Sequence, residues 1–516
     1  MKRTGEGTTS KGKKRVEEKS EGQEEEEEEE EEEEVLEFED DYEDEFDQEE
    51  IIDAEFEDVE VDLDLDLDSP HNEKGRKGQA PAPSVYRPGI DPLEDGQVLE
   101  PEPGTYKMLH KLQVQWPCLS FDILGDSLGK NRTKYPMTAY VVSGTQADNG
   151  DRNRIVVMKW SNLQKTNKDG QLDHDDDDEE ETSSNKYRIE GDSDSDSGND
   201  DELEGDPELE FRMIKHNSGV NRIRAMPQMN SLVASMSDNK SVYIHNIQAE
   251  LDALDGRGTK PGMCASASGA NKPVHVFNGH KAEGFGMAWN PHQVGMFASG
   301  DCHGKAYLWT PCSGGTWTQS PLTTTISSSV SLESVEDIEF KRIGDNCPNT
   351  IALCGGSAGK VALVDVRNTD KVASHWPAHQ GDTNVLSWNP IVGQLLLTGG
   401  DDGTFKVWDV RSVSRGALAN FKWHKDAITS VDWHPTDEAT LAVSSADDTT
   451  SIWDMSVEED LSFSPDVANA EYYPPQLLFL HMGQKSVKEI KFHSQMPGVI
   501  VSTAFDGFNI FKTFNI

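Results

Sequence analysis

Apolar residues along the C-terminal three quarters of the chain fall into short runs that recur at a regular spacing. Three windows align without gaps from a histidine to a proline: HKAEGFGMAWNP (280–291), HQGDTNVLSWNP (379–390) and HKDAITSVDWHP (424–435). A fourth window, HNSGVNRIRAMP (216–227), keeps both end residues. Each is followed by an apolar run, a turn rich in Gly, Asp or Ser, and a second apolar run. Alternation of period two with turn signals at this spacing predicts short antiparallel strands.

A period of about 45 residues with these histidine and tryptophan marks resembles the WD40 repeat, in which each unit forms one four-stranded blade of a β-propeller. We count seven units. They are 138–160, 216–247, 274–309, 317–367, two units that contain Trp408 and Trp453, and a last unit from Leu477 to Ile516. The predicted fold is therefore an all-β, seven-bladed propeller over residues 118–516.

The chain ends after the third strand of the seventh unit, so its fourth strand must come from elsewhere, because an open sheet edge invites aggregation. The apolar segment CLSFDIL (118–124) precedes the first unit and is predicted to fill this place. Before it, the apolar residues of TYKMLHKLQVQWP (105–117) have the spacing of one helical face that Pro117 ends. We therefore expect an N-terminal helix in the extension 85–117.

The repeated histidines predict a structural role. In WD repeats a histidine, a strand Ser or Thr, a turn Asp and a strand Trp form a buried hydrogen-bonded relay, which pairs polar groups that burial would otherwise leave unsatisfied. The pattern predicts two such sets: His379, Thr398, Asp402 and Trp408, and His424, Ser444, Asp448 and Trp453. The third unit has His303 and the fourth has Ala358 at the aspartate position, so both are expected to lack the full relay. One histidine per blade cannot form a shared metal site.

Charge divides the 516-residue chain, whose formal net charge is −48, into a nearly neutral body and two acidic segments. Residues 17–68 hold 33 acids and one base, and residues 171–210 hold 19 acids and two bases. Such segments repel themselves and bury little, so the tail 1–84 and the insert 161–210 are expected to be disordered. They oppose binding to nucleic acid or to a membrane surface and favour a basic protein partner.

Both acidic segments contain further candidate features. In the tail, Phe38, Tyr42 and Phe46 recur every four residues and would line one face of a helix formed on a basic, partly apolar partner. Chance alternation is the other interpretation. In the insert, Ser193 and Ser197 stand three residues before acids and are candidate sites for acid-directed kinases. A solvated spacer is the alternative there.

The sequence predicts a protein without catalytic chemistry, cofactor or metal. It contains no P-loop, hydrolase elbow or zinc-protease motif, and the acidic run 173–181 lacks the glycine of a built calcium site. The six cysteines have no metal-ligand spacing, which favours reduced thiols in a reducing compartment. No secretory or membrane-spanning run is found, and KGKKR (11–15) is a candidate nuclear import signal. We expect a monomer.

Two stretches resemble the histone-binding WD-repeat proteins of chromatin assembly complexes. They are the sequence WPCLSF (116–121) and the acidic loop 457–475, which ends in a Pro-Pro pair before QLLFLH. In that family an N-terminal helix and a Pro-Pro loop clamp a basic histone helix against the propeller. The resemblance implies a partner-binding groove with Tyr106, Leu109, Leu112 and Trp116 on one side, and Asp460, Asp466, Glu471, Pro474 and Pro475 on the other.

From about residue 85 to the end, the chain resembles the glutamate-rich WD-repeat family more specifically. The strings that carry this resemblance are VYRPGIDPLEDG, PCLSFDILGDSLGKNRT, SGTQAD, GHKAEGFG, TGGDDG and GFNIFKTFNI. The resemblance implies a ribosome-assembly chaperone that binds and shields a newly made basic protein of the large ribosomal subunit, the universal third one, for assembly into pre-60S particles. It also implies a location in the nucleus and nucleolus, with the cytoplasm as a second location.

Two other functions stay open at this point. A histone-binding chaperone of chromatin assembly needs the same charge distribution. WDVR (408–411) also resembles the WDxR signature of substrate receptors of cullin-RING ubiquitin ligases, with Asp409 and Arg411 as the relevant residues.

Overall fold

The computed structural model describes residues 104–166, 206–257, 272–322, 332–356, 358–369, 372–458 and 473–516, together with Leu99 and Pro101. All of them lie in the compact unit Val85–Ile516. Several predictions fall outside the described residues. These concern the tail with Phe38, Tyr42 and Phe46, the candidate sites Ser193 and Ser197, and the loop acids Asp460, Asp466 and Glu471.

The described residues form seven four-stranded antiparallel sheets, which confirms the predicted seven-bladed propeller. Blades one to three are β2 (Cys118–Leu124), β3 (Met137–Thr145), β4 (Arg154–Leu163) and β5 (Glu208–Lys215); β6 (Val220–Met226), β7 (Met229–Ser237), β8 (Val242–Asn246) and β9 (His275–Phe277); and β10 (Met287–Trp289), β11 (Phe297–Gly300), β12 (Ala306–Cys312) and β13 (Thr316–Pro321).

Blades four to six are β14 (Asp337–Phe340), β15 (Thr350–Gly355), β16 (Lys360–Asp365) and β17 (Val372–Pro377); β18 (Thr383–Trp388), β19 (Leu395–Gly400), β20 (Thr404–Asp409) and β21 (Ala419–Lys422); and β22 (Ile428–Trp433), β23 (Thr440–Ser445), β24 (Thr450–Asp454) and β25 (Leu477–His481). Blade seven is β26 (Glu489–Phe492), β27 (Val499–Ala504), β28 (Gly507–Thr513) and β1 (Tyr106–Leu112).

Strand β1 corrects two predictions about the N-terminal segment. The helix predicted over 105–117 is wrong, because Tyr106–Leu112 is a strand that pairs antiparallel with β28, with Leu109 opposite Phe511. The segment Cys118–Leu124 does not close the ring either; it is the inner strand of blade one. Met108 and Leu112 are buried on one face of β1 in the seam with blade one, whereas Tyr106, beyond an irregularity in the register, packs with Leu109 on the other side in the seam with blade six.

The hydrophobic core lies in the seams between neighbouring sheets. At the seam of blades seven and one, Met108, Phe121, Trp160 and Phe508 pack together and are all almost fully buried. Burial of such a side chain stabilises the fold by about 1.5–3 kcal/mol or more. Each seam therefore contributes to holding two blades together.

One short α-helix, α1 (Gln248–Leu254), and two 3₁₀ turns, Gly150–Arg152 and Val413–Arg415, complete the regular structure of the described residues. Leu254 of α1 packs into the seam of blades one and two. None of the described helices has the length and apolar character needed to cross a membrane. The five cysteines that the structure describes are free thiols.

Blade five contains the hydrogen-bonded relay that its sequence predicts. His379 Nδ1 lies 3.1 Å from Asp402 Oδ1, and His379 Nε2 lies 2.8 Å from the Thr398 hydroxyl. The Trp408 indole N–H donates to the same hydroxyl at 3.0 Å. Burial lowers the pKa of His379, although the hydrogen bond and charge of Asp402 oppose this. The relay ties the blade's entry loop to its second and third strands.

Blade six builds its relay from different residues than predicted. His424 Nδ1 lies 3.0 Å from Asp447 Oδ2, and His424 Nε2 lies 2.8 Å from the hydroxyl of Ser451. The Trp453 indole N–H donates to Ser451 at 2.7 Å. The assignments of Ser444 and Asp448 were therefore wrong.

The two displaced residues have other contacts. The Ser444 hydroxyl lies 3.0 Å from that of Thr429. Asp448 occupies the left-handed region with φ 67°, where an aspartate is tolerated, and its carboxylate accepts the backbone N–H of Ser486. Neither residue contacts His424.

Blade three has the complete relay that it was predicted to lack. His280 lies 3.1 Å from the Asp301 carboxylate and 2.8 Å from the Ser299 hydroxyl, and Trp309 donates to Ser299 at 3.0 Å. The repeat pattern predicts the acid at position 303, where this blade has a histidine. The acid of the relay, Asp301, stands two residues earlier. A carboxylate at the start of the turn can thus replace one near its end.

Candidate partner-binding surfaces

The central channel of the propeller, about 320 Å³ in volume, is lined by charged side chains from the inner strands of five blades and from a turn. Among the described lining residues, five acids nearly balance four bases. The acids are Asp122, Asp337, Glu339, Asp432 and Glu489, and the bases are Arg222, Arg224, Arg342 and Lys491.

Glu489 of blade seven is the ionic centre of this channel. One of its oxygens lies 2.5 Å from the Arg224 guanidinium and 3.3 Å from that of Arg222, and the other accepts the Phe121 N–H at 3.0 Å. Burial disfavours the charged form, but the two arginines outweigh it and lower the pKa of Glu489 to about 2. This carboxylate therefore joins blades seven, one and two.

The other channel carboxylates also connect neighbouring blades, because each accepts a backbone N–H from the next inner strand. Burial raises the pKa values of Asp337, Glu339 and Asp432, because it removes the solvation that stabilises a charged carboxylate. These bonds are Asp122 to Ala225 (2.8 Å), Asp337 to Leu386 (3.1 Å), Glu339 to Trp388 (2.7 Å) and Asp432 to Phe492 (2.9 Å). The channel charges thus have a structural role.

A second group of carboxylates lies on what we call the upper face, where the outer strand of each blade leads to the inner strand of the next. Glu283, Glu336 and Asp382 belong to three such connections, and Asp401 begins the β19–β20 turn. Burial and the charge of Asp401 raise the pKa of Asp382, and burial together with Asp382 and Asp401 raises that of Glu336. The Asp401 backbone N–H donates to the Asp382 carbonyl at 3.0 Å, so these two residues are in direct contact.

Glu283 lies beside Cys302, whose backbone N–H donates to the Glu283 carbonyl at 2.9 Å. Burial and the charges of Glu336 and Glu283 raise the pKa of the Cys302 thiol to about 12, which adds Glu283 to the same group. Glu283 and Asp401 accept hydrogen bonds from Asn221 and Asn384. Among the described residues, none of the four carboxylates forms an ion pair with a lysine or arginine. We call Glu283, Glu336, Asp382 and Asp401 the acidic mouth.

The acidic mouth was not predicted from the sequence, although the sequence contains a signal for it. Glu283 and Asp382 each stand three residues after a relay histidine, His280 and His379. The relay fixes that histidine, so a residue at this offset has a defined place on the connecting loop. An acid at this offset in the third and fifth repeats could have identified the surface.

The residues predicted for the side groove have more varied environments. Tyr106 is 8% exposed, and its hydroxyl hydrogen-bonds His481 Nδ1 at 2.7 Å, so it supports the fold from inside. Leu112 is likewise buried, and Leu109 is half-buried in a cluster with Phe479. Tyr106 and Leu109 thus contact β25, the strand that follows the Pro-Pro pair.

The remaining described groove residues lie apart in the fold. Trp116 is half-buried in the connection from β1 to β2 and faces Phe211 and Met213 of blade one across a groove. Pro474 and Pro475 precede β25 of blade six, where the Pro474 carbonyl accepts the Leu477 N–H at 2.9 Å. Pro475 is exposed.

Arg411 of the WDVR sequence closes a local turn. Its guanidinium lies 2.7 Å from the Asp409 carboxylate, and the Arg411 backbone N–H donates to the same side chain. Arg367 and Asp365 form the same arrangement in blade four, at 2.6 Å. The Arg411 side chain remains 69% exposed, so it is also accessible to a partner.

The sequence also matches known protein families. The family model for the histone-binding protein RBBP4 and its counterpart in the CAF1 complex matches residues 96–164, and the model of the WD domain, G-beta repeat, matches 371–409 and 416–454. With the seven four-stranded sheets, these matches define a WD-repeat propeller protein that carries a stretch similar to the histone-binding propellers.

Relatives along nearly the whole chain identify the family. Glutamate-rich WD repeat-containing protein 1 of Dictyostelium discoideum is 40% identical over 483 residues, 92% of this chain and 94% of the relative. Ribosome assembly protein rrb1 of Schizosaccharomyces pombe is 35% identical over 92% of both chains, and Protein HEAT STRESS TOLERANT DWD 1 of Arabidopsis thaliana is 38% identical over 84% of this chain and 92% of the relative. The chain belongs to the glutamate-rich WD-repeat protein family.

Proposed function

We propose that this protein is a non-enzymatic chaperone of ribosome biogenesis that binds and shields a newly made, basic large-subunit ribosomal protein until it is assembled. The observation that carries the proposal is the acidic mouth, in which four carboxylates on neighbouring loops form no ion pair with a lysine or arginine of the described residues, although the charge of Arg222 reaches Glu336. A relative named as a ribosome assembly protein, at 35% identity over 92% of both chains, supports the biological context.

Electrostatics explains why such a surface suits this client. Proteins that bind RNA carry clustered Lys and Arg side chains, because they must neutralise phosphates. Carboxylates held close together repel each other, so a bound cation relieves that repulsion and gains attraction at the same time. The acidic segments around residues 17–68 and 171–210 would cover the client's remaining positive charge, while the acidic mouth holds a defined element.

Neutral variants of the acidic mouth test the proposal directly. In Glu336→Gln/Asp382→Asn/Asp401→Asn, binding to a basic ribosomal protein should weaken by roughly tenfold at low salt, with a shallower dependence on salt. Titration calorimetry at several salt concentrations measures both. The matched control is Asp345→Asn/Glu438→Gln, which removes exposed acids from the opposite face and should change affinity little. Equal losses in both variants would reject the acidic mouth as the binding surface.

The identity of the client needs a separate experiment. We expect the universal third protein of the large subunit to be kept soluble on co-expression with this chain, in preference to other basic ribosomal proteins. Deletion of residues 21–68 should weaken binding and flatten its salt dependence, because those residues supply long-range attraction. Unchanged affinity and salt slope after that deletion would remove shielding by the tail from the proposal.

Histone binding is a second candidate function, favoured by the match of residues 96–164 to the histone-binding family model. Charge alone does not separate histones from ribosomal proteins. Purification of the endogenous protein in the presence of RNase does, because recovery of histones with chromatin factors supports this candidate. Recovery of a ribosomal protein alone supports the chaperone of ribosome biogenesis, with residence in the nucleus and nucleolus.

A substrate receptor of a cullin-RING ligase is a third candidate, supported by the exposed Arg411 of WDVR. The identical turn geometry of Arg367 and Asp365 in blade four favours a local role for the pair instead. Arg411→Glu should abolish ligase association if the receptor role holds. Arg367→Glu is its matched control.

A further inference from the structure

An apolar groove of about 530 Å³ lies beside blade one, between its outer strand and the connection from β1 to β2. Phe211 and Met213 of β5 form one wall, and Val114 and Trp116 lie opposite them. Among the described residues that line the groove, the only charged side chains are Arg152 and Arg154. In a chain of net charge −48, it is unexpected that the charged residues of this groove are both cations. We call it the blade-one groove.

The exposure of its wall is unusual for this propeller. Phe211 and Met213 are 46% and 42% exposed, whereas the large aromatic side chains on the outer strands of blades three and four, Trp317 and Trp376, are 8% and 5% exposed. Strand β5 is also the last strand of its sheet, and no described strand pairs with its outer edge. Apolar side chains next to an unpaired strand edge are suited to the addition of a further strand.

The chain itself supplies a segment tethered at this edge. It leaves the described structure at Thr166, whose N–H donates to the Lys107 carbonyl of β1 at 3.0 Å, and returns at Asp206, whose carbonyl accepts the Asn162 side chain at 3.0 Å. The insert 167–205 is therefore attached at both ends beside β4 and β5. Two such tethers give it a high effective concentration at the groove.

One short stretch of the insert matches the blade-one groove in its pattern of apolar residues. Tyr187 and Ile189, in KYRIE (186–190), are the only large apolar residues between 173 and 202. Two residues apart, they would point to the same side of an extended strand, which is also the separation of Phe211 and Met213. Both bases of residues 171–210, Lys186 and Arg188, lie inside this stretch, so the charge that complements Arg152 and Arg154 comes from the acids on either side of it.

We propose that residues 186–190 bind along the outer edge of β5 as a fifth strand of blade one, with Tyr187 and Ile189 in the blade-one groove. The insert is then an internal ligand of the propeller rather than a free spacer. Ser193 and Ser197, a few residues further on, are thereby held near the rim of blade one, where a kinase could reach them. This docking does not depend on the identity of the protein's client.

Hydrogen exchange of the full chain tests the docking. In the unaltered protein, the backbone amides of 208–215 should exchange more slowly than in Tyr187→Ala/Ile189→Ala, by about tenfold for the outward-facing N–H groups. Phe211→Ala/Met213→Ala should lose the same protection, and combining both pairs should add nothing further, because they remove one shared contact. Leu203→Ala in the insert and Phe505→Ala on blade seven are the matched controls.

A photo-crosslinking residue in place of Phe211 gives a second, independent result. The proposal requires crosslinks within one molecule to a peptide that contains 186–190. Crosslinks to other parts of the insert, crosslinks only between molecules, or none to the insert would overturn it. Protection of β5 that disappears with salt but survives Tyr187→Ala/Ile189→Ala would overturn it too, since docking would then rest on charge alone.

Discussion

At the scale of single residues, the hydroxyl that bridges histidine and tryptophan decides how each relay is built. In blade five it is Thr398 on the second strand, but in blade six it is Ser451 on the third. Ser451 pairs across the ladder with Val443, the residue that corresponds to Thr398 in spacing from the histidine. The hydroxyl has moved to the neighbouring strand, yet it reaches the same two partners.

Two serines of blade six provide a test of this arrangement. Ser451→Ala leaves His424 and Trp453 without their common partner in a fully buried site, which should lower the free energy of unfolding by about 1–3 kcal/mol. Ser444→Ala removes a hydroxyl of equal burial that contacts only Thr429 and backbone, and should cost less than half as much. Urea unfolding of both variants measures the difference. Equal losses would contradict the assignment to Ser451.

The sequence identified the relay residues of blade five but not those of blade six, for a physical reason. Blade six has adjacent candidates of the same type, Ser444 beside Ser445 and Asp447 beside Asp448. Which aspartate faces His424 depends on the turn, where Asp448 takes φ 67° and points away. The spacing of 23 residues from His379 to Asp402 does point to Asp447, which stands 23 residues after His424, but the move of the hydroxyl to the third strand is not encoded in that spacing.

At the scale of elements, strand β1 is held on both of its edges. One edge pairs with β28, and the other contacts Thr166, whose N–H donates to the Lys107 carbonyl and whose hydroxyl bonds the Leu109 N–H at 2.7 Å. Backbone groups of a strand alternate in direction, so residues 107, 109 and 111 point outward and residues 108 and 110 point to β28. The ring closure rests on the second set.

Proline substitutions at neighbouring positions of β1 test the closure. His110→Pro removes a donor that faces β28 and should destabilise the protein by about 3 kcal/mol or more, with faster proteolysis of blade seven. Lys111→Pro places the same ring at an exposed, outward-facing position and should be much milder. His110→Ala controls for the lost side-chain bond to the Gln164 carbonyl. Similar losses in both proline variants would show that β1 does not close the ring by its ladder.

The need for a closing strand could be predicted from the chain, but its identity could not. Both candidate segments are apolar, and an irregularity between Tyr106 and Met108 interrupts the period-two pattern of Tyr106–Leu112, which leaves a spacing that also fits a helix. Each of the seven blades needs an inner strand of its own, and Cys118–Leu124 is that strand in blade one. Tyr106–Leu112 is then the segment that remains as the outer strand of blade seven. The acidic mouth was missed for a related reason, since its members come from three separate repeats.

At the scale of the whole molecule, two circles of contacts make the ring rigid. On the lower face, which lies opposite the upper face, the turns between the first and second strands of neighbouring blades are joined by side-chain hydrogen bonds to backbone carbonyls. Examples are Asn230 to the Gly125 carbonyl, Gln228 to that of Asn290, Asn389 to that of Glu438, and Gln495 to that of Asp126. In the channel, carboxylates join inner strands in the same way. A surface such as the acidic mouth is therefore presented by a frame that changes little on binding.

Glu489 is the point where the channel circle should be most vulnerable, because its carboxylate contacts blades one and two from blade seven. Glu489→Gln removes the carboxylate that pairs with the buried Arg222 and Arg224 and leaves only the more distant charges of Asp122 and Asp337 near Arg224, so the free energy of unfolding should fall by about 3–5 kcal/mol at neutral pH. Glu438→Gln, an exposed acid, should change it by less than about 0.5 kcal/mol.

The pH dependence of that loss follows from the direction of the pKa shift. The pKa of Glu489 is lowered in the fold from 4.5 to about 2, so its stabilising contribution is complete above about pH 4.5 and disappears as the pH falls towards 2. The difference in unfolding free energy between the unaltered protein and Glu489→Gln should therefore shrink over that interval. Glu339 and Asp432, whose pKa values burial raises, favour the fold when protonated and act in the same way in both proteins. Asp337 also feels the charges of Arg222 and Arg224, so it partly compensates for the lost carboxylate at neutral pH and makes the gap smaller there. Urea unfolding from pH 7 to 3 measures the difference. A gap that stays constant across this range would mean that the two arginines do not depend on the charge of Glu489.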